Sequence, residues 1–296
     1  MKWFTAANYA SLQNDQFFQL LQAAVRSAKH NTTLTPCLLY DGQDCPQLDW
    51  LDQHGVSILR SDLTIAREIQ DYLHAQALHH LIPKRLGSWL RLELCPTLRR
   101  FGYTDRYILY TDCDVVFLRE VWLEWCKPRT LAAVVRRLGG YTRFHILGTR
   151  HFNAGVLVLN VDAMVKSYDK FRSFILSNGN GVRRPNQPYP FIQKHLLLSD
   201  QVALNLFYGP GATPLPWRYN WNPSEGINPD AVIVHFNGLK WNQWRDFVNG
   251  TLPERYKSAF TPLVMRNKDA YRYYCEVAQR YDCGEDPKQA RPDQAP

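Results

Sequence analysis

The segment "RYILYTDCDVVFL", residues 106–118, sets two carboxylates, Asp112 and Asp114, inside an otherwise apolar run. Such a run reads as a buried strand, where an uncompensated charge is costly. In an extended chain, side chains two apart point to the same side, so these two emerge together, their backbones roughly 6.5 to 7 Å apart. Cys113, between them, is then turned toward the core. Two carboxylates at a strand end can share a divalent cation. A surface Asx turn would account for a lone D-x-D, but the apolar flanks favour a metal or substrate role. An EF-hand loop does not fit, because the run lacks Gly at its sixth position.

Around this segment, strand and helix signals alternate. "KWFTAA", "TPCLLYDG", "VSILR", "LAAVV", "AGVLVLNV" and "AVIVHF" read as short buried strands. "DQFFQLLQAAVRSAKH" has apolar residues at helical spacing, and Ser61 to about Leu98 is helical in character, with breaks expected at Pro83 and Pro96. This alternation predicts an α/β fold with a Rossmann-like, mixed but mostly parallel sheet flanked by helices, its ligands beyond the carboxyl ends of the strands. Residues 177–190, rich in Gly, Pro and Asn, read as a long loop, and 283–296 as a disordered tail. The expected organisation is one catalytic domain over 1–250, a helical appendage over 251–282, and that tail.

With 296 residues, 45% of them hydrophobic, the chain can bury a sizeable core. The formal charge of +8 would suit an anionic partner. The basic residues are scattered as doublets, Arg99-Arg100, Arg136-Arg137 and Arg183-Arg184, without a nucleic-acid-binding signature, so no nucleic acid is expected. Aromatic content of 13% leaves side chains to spare for flat apolar ligands such as sugars. Seven cysteines form no C-x-x-C. Cys37 with Cys45, and Cys275 with Cys283, could pair, but buried free thiols are the expectation. "MKWFTAANYASL" lacks the apolar core of a signal peptide and no run is long enough to span a bilayer, so a cytoplasmic protein is expected, with peripheral membrane contact open.

"AVIVHFNGLKWNQW", residues 231–244, is the second candidate: a strand that ends on His235, followed by Gly238 and Lys240. A histidine after a strand is commonly a satisfied core residue. Joined to a D-x-D it completes a carboxylate, carboxylate, imidazole set suited to manganese, with magnesium as the alternative. Lys240 could neutralise phosphate charge, or be an ordinary surface lysine. In "RHFNAGVLVLN", residues 150–160, Gly155 allows close backbone approach, and the Asn153 amide can both donate to and accept from hydroxyls. In "LLLSDQVALNLF", residues 196–207, Ser199 and Asp200 open a helix, where both are also ordinary capping residues.

Taken in order, "FTAANYASL", "SWLRLELCPTL", "YTDCDVVF", "FNAGVLVLN", "SDQVALNLF", "LPWRYNWNP" and "HFNGLKWN" resemble the retaining glycosyltransferases of family 8, which include bacterial lipooligosaccharide galactosyltransferases and the glycogenins. The likeness runs from residue 1 to about 245. It implies a GT-A fold, a manganese ion on Asp112, Asp114 and His235, and a nucleotide-sugar donor, usually a UDP-sugar carrying galactose or glucose. It implies that Arg91 lies near the donor diphosphate and sugar, and that Gly238 and Lys240 contact the diphosphate. It also implies that Asn153, Asp200 and Gln201 line the transferred sugar and form the catalytic group. Ala6, Asn8, Tyr9, Cys113, Ala154 and Gly155 complete the implied donor site. The chain departs from the family in two places: "AANY" lacks the Asp usual beside the uracil, and Gly238 and Lys240 are closer together than in the family's "HFxGxxKPW"-like stretch.

The acceptor is expected to be a hydroxyl on a glycan or glycolipid. Arg183, Arg184 and the basic aromatic stretch from Lys257 to Tyr281 are candidates to hold it or to meet a membrane, although "NKDAYRYYCEVAQRY" equally suits a packed terminal helix. The competing functions are an inverting transferase on the same fold, a non-catalytic nucleotide-sugar or carbohydrate-binding protein, and a metal-dependent phosphohydrolase.

Overall fold

The computed structural model describes residues 1–136, 151–178 and 196–282. Arg137, Arg183, Arg184, Cys283, most of the 177–190 segment and the 283–296 tail lie outside them. Among the described residues the strands are β1 (Lys2–Asn8), β2 (Thr35–Asp41), β3 (Ser57–Arg60), β4 (Tyr107–Thr111), β5 (Val115–Phe117), β6 (Leu131–Arg136), β7 (His151–Asn160), β8 (Thr213–Pro214) and β9 (Ile233–His235). The helices are α1 (Tyr9–Leu12), α2 (Asp15–Asn31), α3 (Pro46–Gln53), α4 (Ala66–Ala75), α5 (Ile82–Trp89), α6 (Leu94–Arg100), α7 (Val161–Leu176), α8 (Asp200–Tyr208), α9 (Trp244–Asn249), α10 (Glu254–Val264) and α11 (Lys268–Asp282).

These elements gather into two compact units, each discontinuous in sequence. One comprises Met1–Leu12, Cys37–Thr111 and Leu123–Leu215; the other comprises Gln13–Pro36, Asp112–Trp122 and Pro216–Pro296. The first unit carries a seven-stranded sheet in the order β3-β2-β1-β4-β7-β6-β8. The pairs β2–β3, β1–β4 and β6–β8 are parallel, whereas β7 runs antiparallel to both β4 and β6. This is the mixed, mostly parallel sheet read from the alternating pattern. Every residue of β7 after His151 is buried, the pattern of a strand covered on both faces. Phe4, Ile108, Leu157 and Leu159 from the strands meet Trp89, Leu98, Phe171 and Leu204 from the helices in one core.

Both prolines of the helical region begin helices. Pro83 occupies the first turn of α5, and Pro96 the first turn of α6, where a backbone N–H has no intrahelical partner to lose. The expected breaks at these residues are therefore helix starts.

In the second unit β5 and β9 form a two-stranded antiparallel ribbon. α2 packs on β5, where the Ser27 hydroxyl accepts from the Phe117 N–H at 3.1 Å and donates to the Ala24 carbonyl at 3.0 Å. α11 in turn is tied to α2: Asn31 Nδ2 donates to the Tyr281 hydroxyl at 2.6 Å, and Arg26 donates to the Tyr281 carbonyl at 2.9 Å. Six residues of α11, among them Tyr271, Tyr274 and Cys275, are buried, so it is the packed terminal helix that the sequence offered as one option.

One sequence expectation is corrected here. Residues 106–118 are two strands, because β4 ends at Thr111 and belongs to the large sheet, while β5 starts at Val115 and pairs with β9. Asp112, Cys113 and Asp114 form the irregular step between them. The apolar residues on either side are buried as expected; what differs is that each half has its own partner strand.

Candidate active site

The two carboxylates of the step still converge, by a route other than strand alternation. β5 and β9 are in register with Val115 opposite His235, and the Phe236 N–H donates to the Asp114 carbonyl at 3.0 Å, which seats His235 beside Asp114. One ligand atom from each of Asp112, Asp114 and His235 falls within 4.8 Å of the others. Asp114 and His235 are buried and Asp112 is half-buried. His235 Nε2 lies 3.2 Å from Asp114 Oδ1, and its Nδ1 lies 3.0 Å from Asn220 Oδ1. With Asn220 accepting from Nδ1–H, the imidazole presents Nε2 to the carboxylates. That is the outer-shell arrangement that fixes a metal-binding histidine. Two carboxylates and an oriented imidazole fit a divalent cation such as manganese or magnesium.

Lys240 reaches the same place. Its Nζ donates to Asp114 Oδ2 and, at 2.9 Å, to the Phe236 carbonyl. Burial pushes the Asp114 carboxyl upward, but the Lys240 ammonium and His235 outweigh it and hold the group well below the usual carboxylate range. Burial likewise disfavours the Lys240 ammonium, and Asp114 overcomes this and raises its pKa. The Cys113 thiol is pushed well up by burial and by the neighbouring Asp114 and Asp112, so it is a neutral packing group. Gly238 has φ of +134°, a conformation suited to glycine, and a Cβ there would lie 3.2 Å from Leu263 Cδ1.

The first unit assembles a different cluster. Ser199 caps α8 by accepting from the Val202 N–H, which puts Asp200 and Gln201 in the first turn. Gln201 Oε1 accepts from Asn153 Nδ2 and from the Ala154 N–H, both at 3.1 Å, while Asn153 Oδ1 accepts from the Gly155 N–H at 2.9 Å. Asp200 Oδ2 pairs with Arg91 Nε at 2.9 Å, with both side chains 10% exposed. Arg91 also donates to the Ser88 carbonyl at 3.0 Å and to the Ala154 carbonyl at 2.7 Å, and its guanidinium stacks 4.8 Å from the Tyr110 ring. A cavity of about 20 Å³, enough for one water, adjoins Arg91 and Asp200, with Trp89, Leu157, Phe171 and Leu204 among its walls. An ion pair against apolar walls is strengthened because little solvent screens it.

Near the N-terminus, Asn8 is buried. Its Oδ1 accepts from the Ser11 N–H and hydroxyl, and its Nδ2 donates to the Pro83 carbonyl at 2.8 Å, so the amide caps α1 and ties it to α5. Tyr9 and Ala6 are half-buried. Cys37 and Cys45 are separate buried thiols, and Cys275 is free as well.

One residue that the sequence reading passed over belongs to these clusters, Asn220, which meets His235. Asn220 sits in "LPWRYNWNP", where nothing in the local pattern sets it apart from its neighbours.

No protein-family model matches the sequence, and no curated protein matches it. Solved structures do match. A galactosyltransferase, LgtC, solved with donor and acceptor sugar analogues, aligns over 88% of this chain and 96% of its own, with a TM-score of 0.56 at 18% identity. This is the GT-A glycosyltransferase fold. The glycosyltransferase GlyE of Streptococcus pneumoniae aligns over 94% of this chain and 64% of its own, with a TM-score of 0.50 at 17% identity. Mouse xyloside xylosyltransferase 1 aligns over 80% of this chain and 98% of its own, with a TM-score of 0.50 at 13% identity. Such identities carry the architecture; roles for individual residues rest on the clusters themselves.

Proposed function

We propose that the protein is a retaining, metal-dependent glycosyltransferase that moves a hexosyl group from a UDP-sugar to a hydroxyl of a glycan or glycolipid, in the cytoplasm. The observation that carries this reading is the convergence of Asp112, Asp114 and His235, with the His235 ring oriented by Asn220, in a chain of glycosyltransferase fold. These three residues would hold manganese or magnesium. The ion, when bound, stabilises negative charge on the departing diphosphate.

The chain's own groups supply the rest. Lys240 adds a preorganised ammonium where leaving-group charge grows, which favours the transition state over the ground state. Asn153, Asp200 and Gln201 bind sugar hydroxyls; the hydrogen bond between Asn153 and Gln201 and the ion pair of Asp200 with Arg91 fix their orientation before substrate arrives. An Asp200 carboxylate already held by a guanidinium is a weaker nucleophile. That favours a same-face substitution, in which the leaving phosphate accepts the acceptor hydroxyl's proton, over a covalent glycosyl-enzyme.

The test is a panel of UDP-sugars with Mn²⁺, read by product mass and by NMR of the anomeric configuration. Transfer with retention is expected, and Asp114→Asn should reduce both transfer and slow donor hydrolysis to background. Absence of both reactions in the native protein would sink the reading. An inverted product would remove the retaining assignment.

A further inference from the structure

In the second unit, Asp114, Phe236 and Lys240 close a ring of hydrogen bonds. The Phe236 N–H donates to the Asp114 carbonyl at 3.0 Å, and Lys240 Nζ donates both to the Phe236 carbonyl, at 2.9 Å, and to Asp114 Oδ2. The lysine backbone is held as firmly. Its neighbours Leu239 and Trp241 are buried, and its N–H donates to Gln243 Oε1 at 3.2 Å, across the short helical turn Trp241–Gln243. Lys240 is therefore a built part of the site and not a surface side chain that leans on it.

The two oxygens of Asp114 are in different circumstances. Oδ2 has the ammonium. Oδ1 is buried without a hydrogen-bond partner among the described residues, and His235 Nε2 lies 3.2 Å from it. Because Nδ1–H is given to Asn220, Nε2 carries a lone pair. Two acceptors thus face one another, and a positive centre shared by both is what satisfies them. Lys240 is not that centre, since its ammonium is committed to Oδ2 and the Phe236 carbonyl. It does set the charge of the group. Asp112 and Asp114 by themselves match a divalent cation, and Lys240 cancels one of the two negative charges. The Asp114 side chain is 9% exposed and that of Lys240 29%, so little water screens the ammonium from an ion on the same carboxylate. A divalent cation added to the three charges leaves the group positive, which an anion such as a diphosphate offsets.

We propose that Lys240 is a resident counter-charge on Asp114 that weakens the protein's hold on a divalent cation until an anionic ligand is present, so that cation and nucleotide diphosphate are taken up together. This rests on the reading of Asp112, Asp114 and His235 as the cation set. Its consequence runs opposite to the usual effect of altering a site residue: removing the Lys240 charge tightens cation binding.

The experiment titrates Mn²⁺ alone into the full chain by calorimetry, for the native protein, Lys240→Met, Lys240→Gln and Lys240→Arg, and repeats the titrations with saturating UDP. Without UDP, Lys240→Met should bind Mn²⁺ about 10- to 100-fold tighter than the native protein, the range for removing a unit charge beside a bound ion. Lys240→Gln, which keeps a donor but no charge, should show the same gain, and Lys240→Arg should stay near native. Adding UDP should raise Mn²⁺ affinity more in the native protein than in Lys240→Met. In an Asp114→Asn background, Lys240→Met should give no gain. Unchanged or weaker Mn²⁺ binding in Lys240→Met and Lys240→Gln overturns the inference and makes Lys240 a positioning partner of Asp114. A gain that persists in the Asp114→Asn background overturns it as well. If circular dichroism shows Lys240→Met unfolded, Lys240→Gln decides by the same criterion. Absence of Mn²⁺ binding in the native protein and every Lys240 variant overturns both this inference and the cation set. The expected gain, with no sugar transfer by the native protein, supports the inference and sinks the transferase reading alone.

Discussion

Removing the Asn220 amide tests the metal site through a residue that no ligand set would include. Asn220 is buried and its Oδ1 lies 3.0 Å from His235 Nδ1. In Asn220→Ala the imidazole loses the acceptor that fixes its tautomer and ring angle. Loss of such an outer-shell partner lowers metal affinity about 10- to 100-fold. A ligand present at 100 times its dissociation constant stabilises the native state by about 2.7 kcal/mol. At the same ion concentration a tenfold weaker site keeps about 1.4 kcal/mol, and a hundredfold weaker one about 0.4 kcal/mol. The variant also leaves a buried N–H unsatisfied, a cost of about 1–3 kcal/mol that applies with or without the ion. The informative quantity is therefore the difference between urea unfolding free energies measured with Mn²⁺ and with EDTA. Calorimetry gives the dissociation constant independently. Asn220→Asp, which restores an acceptor, should retain the full increment. If Asn220→Ala shows the native manganese increment and dissociation constant, His235 is not oriented by Asn220 for metal binding, and the assignment of the cluster loses its main geometric support.

Two further expectations concern the scaffold. Gly42 has φ of +148°, and a Cβ there would lie 2.5 Å from Tyr9 Cβ, so Gly42→Ala should destabilise the fold by about 1–3 kcal/mol; an unchanged urea midpoint would show that Tyr9 does not need this close approach. Burial raises the Cys37 thiol from 9.0 to about 11 and Cys95 from 9.0 to about 12. The unfolded chain then releases protons that the folded one retains, so stability is full below pH 9 and falls as pH rises through the folded values, by about 1.4 kcal/mol per pH unit for each thiol. Urea midpoints between pH 8 and 11 check this, and Cys37→Ala should make the decline shallower; an equal slope would mean that Cys37 contributes nothing to it.

The strands and helices were legible wherever burial leaves a local trace. β7 could be read from an unbroken apolar run, and α2 from apolar residues at helical spacing, because each pattern records which faces are hidden from water. Asp112, Asp114 and His235 stood out because charge and imidazole interrupt such runs, and a buried charge is tolerated only when something compensates it. The break between β4 and β5 left no such trace. Both halves are equally apolar, and what separates them is a choice of partner, β7 and β1 for one and β9 for the other, made by residues far away in the chain.

The sequence by itself determined the alternating architecture, the three residues able to ligate a cation and the helix that opens at Ser199. Tertiary structure alone decided what each polar group meets. Lys240 met Asp114, a pairing its position after Gly238 did not announce. Asn220, one polar residue among aromatics, was turned onto His235, and Asp200 was paired with Arg91 from a remote helix. Burial of apolar surface follows from local periodicity. The partner of a buried polar group depends on distance and direction between segments remote in sequence, and these exist only once the chain has folded.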